Sequence, residues 1–186
     1  MKNLKSKLAA VLVFVLVPAA WSAEPLLTFG TESLTGGKCA THGPNAAIPT
    51  LTESKDSLQL TTPNWWSTII QVEKFTPVSF AEVAPADFLT LTVKGHASGS
   101  SPKLKVLLFS PDWQKKAEWD FDLSDIKPDE FTTIKAGSSL GEPLGEGNAS
   151  VPPSVGVVQM VTRGSDNQAW NLDIQSIGVA GATDKK

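Results

Sequence analysis

The 186-residue chain contains no tyrosine, one cysteine and two histidines, and each scarcity excludes something. A lone cysteine, Cys39, rules out an intramolecular disulfide; it is either buried and inert or free to react between chains. With His42 it makes a C-x-x-H spacing, half of a metal site. The one other histidine is His96, so zinc or copper would have to recruit carboxylates or Met160. A loop cysteine is the plainer reading. No G-x-S-x-G elbow is present, and neither histidine has a nucleophile beside it in the sequence. The glycines between Gly141 and Gly147 lack the following helix and lysine of a phosphate-cradling loop. Without tyrosine, any aromatic platform for a ligand falls to tryptophan.

Long apolar runs are also missing, with one exception. MKNLKSK carries three lysines and is followed by the uncharged LAAVLVFVLVPAA, too short and too early to favour a spanning helix. Small residues at Ala20 and Ser22 then suit cleavage, after Ser22 or after Ala23. Residues 1–23 are expected to be a signal peptide and the protein to be exported, to the periplasm or outside the cell. Removing 23 of 186 residues leaves 163, one domain with enough length for a core of its own. Taking Lys2, Lys5 and Lys7 out of a net charge of −3 leaves −6. A mildly acidic surface argues against nucleic acid and against anionic lipid, both of which select basic proteins. No later run approaches membrane-spanning length.

Helical periodicity is nearly absent as well. Short β-branched or alternating runs recur between Gly, Pro, Asn and Ser clusters: Leu26–Phe29, Leu58–Thr61, Trp65–Val72, Val78–Phe80, Phe88–Lys94, Leu104–Ser110, Glu118–Leu123, Phe131–Ile134, Val155–Thr162 and Trp170–Val179. About ten strands without intervening helices predict an all-β fold, a two-sheet antiparallel β-sandwich of jelly-roll type, over residues 24–180. Long loops are expected at 30–52 and 136–154, and a loose tail at 181–186.

Alternation sorts the faces. Leu89, Leu91 and Val93 share one side of their strand; so do Leu104, Val106 and Leu108, and Trp119, Phe121 and Leu123. Glu118, Asp120 and Asp122 are expected to face out. Leu107 and Phe109 fall on the polar side with Lys103 and Lys105, which implies that this side is partly covered there. In PNWWSTIIQV, the set Trp66, Thr68, Ile70, Val72 is the more apolar, so Trp66 is the better core candidate and Trp65 the better surface one. The expected core comprises Trp66, Leu89, Leu91, Val93, Leu104, Val106, Leu108, Trp119, Phe121, Leu172 and Ile174.

Three segments carry a resemblance: SLQLTTPNWWSTIIQV; FLTLTVKG with the following KLKVLLFSPDWQKKAEWDFDL; and VGVVQMVTRG leading into AWNLDIQSIGV. Their order is similar to that of the galactose-binding-like jelly rolls, and especially of the carbohydrate-binding modules of secreted glycoside hydrolases. The closing strand matches as aromatic-x-x-D-x-x-x-I-x-V through Trp170, Asp173, Ile177 and Val179. The resemblance implies a non-catalytic domain whose partner is a glycan or polysaccharide. It also implies a structural calcium held by an acidic residue after the first strand and by the closing aspartate. Here Phe29 is followed by Gly30 and Thr31 before Glu32, so Glu32 and Asp173 would supply only two of the six to eight oxygens calcium takes. The alternative is that Asp173 hydrogen-bonds a neighbouring turn. No other cofactor is implied.

Sugar rings stack their C–H faces on aromatic rings and direct hydroxyls to planar polar groups. Three places offer that pairing: Trp65 with Asn64 and Gln71, Trp113 with Asp112 and Gln114 in the turn SPDWQKK, and Trp170 with Arg163, Asp166, Asn167 and Gln168 before it. Trp65 serves equally well as sheet-edge packing. Trp170 follows RGSDNQA but shares parity with Leu172 and Ile174 and reads as core. Asp120 and Asp122 lie on one strand face as a hydrolase pair would, yet solvated strand carboxylates do this without any catalysis. The reading is therefore a binding module and not an enzyme; the alternative is a structural or adhesive exported protein that binds another protein or a surface polymer.

Overall fold

A computed structural model describes residues 24–30, 38–42, 50–62, 69–80, 84–85, 87–97, 99–141, 151–163 and 169–181. Eleven strands run through them: β1 (Glu24–Thr28), β2 (Lys38–His42), β3 (Thr50–Glu53), β4 (Leu58–Thr62), β5 (Ile69–Ser79), β6 (Phe88–His96), β7 (Lys103–Phe109), β8 (Lys116–Asp122), β9 (Thr132–Ser139), β10 (Ser154–Arg163) and β11 (Trp170–Ala180). No helix occurs among the described residues.

All the pairings are antiparallel, and they make two sheets. One has the order β3-β4-β11-β6-β9, with β1 also pairing β11. Strand β11 is long enough to serve two partners along one edge: β4 pairs with its Trp170–Ile174 half and β1 with its Ser176–Val179 half. The other sheet has the order β2-β5-β10-β7-β8. The fold is the all-β, two-sheet sandwich that the alternating sequence predicts.

The core lies between the sheets and follows the alternation. Leu89, Leu91, Val93, Leu104, Val106, Leu108, Trp119, Phe121, Leu172 and Ile174 are all buried. Trp119 and Trp170 are the largest of the fully buried side chains, so Trp170 is core, as its parity implies. Trp66 lies outside the described residues.

Three sequence expectations are corrected. The expected loop at 30–52 contains β2 and β3. Their sequences, KCATH and TLTE, are too short and mixed to announce themselves, and they become strands by pairing with β5 and β4. Cys39 is accordingly a strand residue opposite Val72, not a loop residue. The runs read separately at Trp65–Val72 and Val78–Phe80 join, over their described residues, into the single strand β5. Pro77 is accommodated because residues 74–77 fall where the β5–β10 register breaks, so its missing N–H costs no ladder bond. Strand β9 runs on through Ala136–Ser139 into the expected second loop, with Ala136 buried.

Candidate functional site: the outer face of the five-stranded sheet

With Ile70, Val72, Leu104, Val106, Leu108, Trp119, Phe121, Val158 and Met160 turned to the core, the alternate residues of β5, β10, β7 and β8 form the opposite face. Register lays them out in three rows. The first is Ile69–Val161–Lys105–Asp120, the second Gln71–Gln159–Leu107–Glu118, and the third Glu73–Val157–Phe109–Lys116. From β5 to β8 each row spans three strand spacings, about 14 Å. The outside of a two-layer sandwich is normally wet, but Val157, Leu107, Lys105 and Glu118 are buried, at 4%, 9%, 9% and 8% exposure. Glu118 therefore does not simply face solvent, which corrects the reading from alternation. The covered polar side that Leu107 and Phe109 imply is real.

The polar groups on this face are mostly locked to one another. Gln159 Nε2 donates to Gln71 Oε1 at 2.8 Å, and Gln71 Nε2 donates to Glu73 Oε2 at 3.1 Å. Lys105 Nζ donates to Glu118 Oε1 at 2.8 Å, and Lys116 Nζ stands 3.7 Å from Glu118 Oε2. One group is left over. Asp120 Oδ1 is buried with no hydrogen-bond partner among the described residues. A buried, unpaired carboxylate oxygen is costly in a folded protein and marks a place where a donor belongs.

An aromatic wall stands at the Phe109 end of the face. Strands β7 and β8 are joined by the SPDWQK turn, where Ser110 N donates to Lys115 O at 3.0 Å and Trp113 N to Ser110 O at 2.9 Å. The Ser110 hydroxyl donates to Asp112 Oδ1 and accepts from Lys115 N; Asp112 Oδ1 also accepts from Gln114 N at 3.1 Å. These bonds, Ser110 first and the Gln114 N–H second, hold the Asp112 carboxyl below the ordinary 3.8. Asp112 and Gln114 thus build the turn, Gln114 Nε2 also reaching Asp112 O at 3.3 Å. Together they hold Trp113 at φ 64°, a left-handed conformation unusual for a bulky residue. Trp113 is 44% exposed, with its ring centroid 4.9 Å from that of Phe109 and the planes tilted by 47°. A bulge in β10 supports the turn from below: a Cβ on Gly156 would lie 2.9 Å from Pro111 Cα.

Among the residues singled out from sequence, the structure brings Gln71 and the Trp113 turn to one face. Trp65, Asn64 and Glu32 lie outside the described residues. Asp173 lies on the other sheet, 3.4 Å from Lys94 Nζ. Among the described residues no group of three or more His, Cys, Asp or Glu side chains is arranged to hold a metal. Asp122, half of the carboxylate pair, is tied into its own turn by the Ser124 hydroxyl and the Ser124 N–H at 2.9 Å, which lower its pKa in that order of importance.

No protein-family model and no curated protein sequence matches the chain. Solved structures do. An agarase aligns over 86% of this chain with a TM-score of 0.53 and 10% identity, the chain spanning 24% of the agarase. A family 11 carbohydrate-binding module of a cellulosomal cellulase from Clostridium thermocellum aligns over 88% of this chain and 97% of its own, at TM-score 0.49 and 8% identity. The same kind of module in complex with a β-1,3-1,4-mixed-linked tetrasaccharide aligns over 84% of this chain, at TM-score 0.46 and 9% identity. The agarase match, the one of these three above a TM-score of 0.5, is a match of the two-sheet antiparallel β-sandwich. At such identities the likeness is one of fold, and the side chains on the face have to be read on their own chemistry.

Sequence reasoning missed most of that face. Gln159 is hidden in the apolar run VGVVQMV, and Lys105, Glu118 and Asp120 look like ordinary solvent-facing strand residues. The legible signals were Gln71, the Trp113 turn, and Leu107 and Phe109 on a side otherwise polar.

Proposed function

We propose that the chain is exported after loss of residues 1–23 and acts as a non-catalytic module that binds a neutral glycan across the outer face of the five-stranded sheet. The single observation that carries this reading is the exposed Trp113 ring set against Phe109 at the end of a face that also holds the Gln71–Gln159 amide pair and the half-buried Asp120. Carboxylates accept from sugar hydroxyls, and amides both accept from and donate to them. Leu107 and Val157 pack beneath the face, and Phe109 with the half-exposed Trp113 offers apolar surface for C–H faces at its rim. The about 14 Å span suits a short run of sugar units and not a single ring. Lys105 and Lys116 are already paired with Glu118, and the other cations of the face, Lys103 and Arg163, lie at the end away from the aromatic pair. The module is read as non-catalytic because Asp122, half of the one carboxylate pair the sequence offered, is held in its own turn by Ser124.

Affinity electrophoresis in gels containing agarose, mixed-linked β-glucan or xylan tests the reading. Retardation by at least one neutral polysaccharide is expected, lost in Gln159→Ala and Asp120→Ala and weakened in Trp113→Ala. No retardation by any neutral polysaccharide, or retardation that all three variants keep, overturns it.

A further inference from the structure

A second polar surface lies on the opposite side of the molecule. On the outer face of the other sheet, β4, β11 and β6 place Gln59, Asp173 and Lys94 in one row and Thr61, Asn171 and His96 in the next. A hollow of about 320 Å³ opens over them, walled by Pro128. Its floor is shaped by Gly95, held at φ 130°, where a Cβ would collide with Asn171 O at 2.0 Å. Gly95 N also donates to Lys127 O at 2.8 Å, which draws the Pro128 segment over the edge of the hollow.

What distinguishes this hollow is unspent hydrogen-bonding capacity. No partner among the described residues engages the side chains of Gln59, Thr61, His96 or Asn171. The one charged group in the lining, Asp173, is balanced by Lys94 at 3.4 Å, and Lys94 is itself drawn over the Phe131 ring at 4.9 Å from its centroid. The lining is therefore close to neutral, holds two planar amides, and has the His96 imidazole as its one ring. Such a set suits the hydroxylated edge of a small polyol and lacks the broad tryptophan or phenylalanine platform that stacks a ring face.

We infer that this hollow is a second ligand site, taking one neutral sugar unit by its hydroxyl edge through Gln59, Asn171 and Asp173, independent of the five-stranded sheet. Its volume falls at the small end of ligand pockets, enough for one or two rings. Occupation of both faces would let one domain bridge two glycan chains.

The test is a ¹H–¹⁵N titration of the full mature chain with methyl β-D-glucoside, methyl β-D-galactoside and methyl β-D-xyloside, each to 100 mM. Saturable shifts at the amides of Gln59, His96, Asn171 and Asp173 are expected with at least one of them. Asn171→Ala and Gln59→Ala, both at exposed strand positions, should reduce these shifts at least tenfold in apparent affinity and leave the Gln159 and Leu107 amides as in the wild type. Gln159→Ala should leave the hollow's shifts intact. Absence of saturable shifts at these four residues with all three glycosides, or shifts that survive both substitutions in the hollow, overturns the inference. Because the two faces report through different amides, failure here leaves the reading of the five-stranded sheet standing, and the reverse also holds.

Discussion

Replacing Lys105 by Met should destabilise the domain far more than the same change would on an open strand face. On a wet face the Lys105–Glu118 pair would contribute about 0–1 kcal/mol. Here the two side chains are 11% and 10% exposed and meet at 2.8 Å, so losing the lysine leaves Glu118 buried with a weaker partner. Breaking a buried pair by removing one member costs about 3–5 kcal/mol. Lys116, 3.7 Å from the other Glu118 oxygen and itself 38% exposed, offsets part of that. The expected cost is about 2–3 kcal/mol. With an m-value of about 2 kcal/mol/M, that lowers the urea midpoint by about 1–1.5 M. The double replacement Lys105→Met with Glu118→Leu removes both charges and should recover most of the loss. The coupling energy of the cycle should then be about 2 kcal/mol. Equilibrium urea unfolding followed by tryptophan fluorescence reads all four corners. A loss below about 0.5 kcal/mol for Lys105→Met, or an additive cycle, would show that water reaches the pair and that the face is not shielded.

Other perturbations separate support from binding. Trp119→Ala, at 0% exposure, should cost about 3–5 kcal/mol by thermal or urea unfolding. Gly156→Ala drives a methyl to 2.9 Å from Pro111, so it should cost about 1–3 kcal/mol and shift the emission of Trp113 as the turn moves. The Asp122 carboxyl is held below 3.8 by Ser124, so its charge favours the folded state above that value and the contribution fades as pH falls through the lower folded pKa. Asp122→Asn should therefore be less stable than the wild type near pH 6, with the difference closing well below 3.8, as acid-to-neutral denaturation series would show.

The sandwich was legible because alternation is a local signal. FLTLTVK and EWDFDL each announce one buried face, and the buried leucines and Trp119 follow it residue by residue. Strands β2 and β3 were not legible, since KCATH and TLTE gain strand structure from their neighbours. The candidate site was half legible for a related reason. Trp113 stands out as an aromatic residue in a turn, but its stacking on Phe109 depends on a backbone conformation that no tryptophan announces. Gln159 and Gln71 are 88 residues apart and meet only through the β5–β10 register. The burial of Lys105 and Glu118 likewise follows from the assembled face, whereas alternation specifies only which side of the strand they take.

Isothermal titration of the wild type and Gln159→Ala, using an oligosaccharide of the polysaccharide that most retards the protein, tests glycan binding on this face most directly. Gln159 is half-buried at the centre of the face and bonded to Gln71, and its truncation removes no core atom. Affinity should fall about tenfold or more, with an unchanged unfolding midpoint and little dependence on salt between 50 and 500 mM, because neutral hydrogen bonds and stacking carry the binding. Equal affinities in the two proteins, or an affinity that collapses with added salt, would place binding elsewhere or make it electrostatic, and would contradict the glycan face.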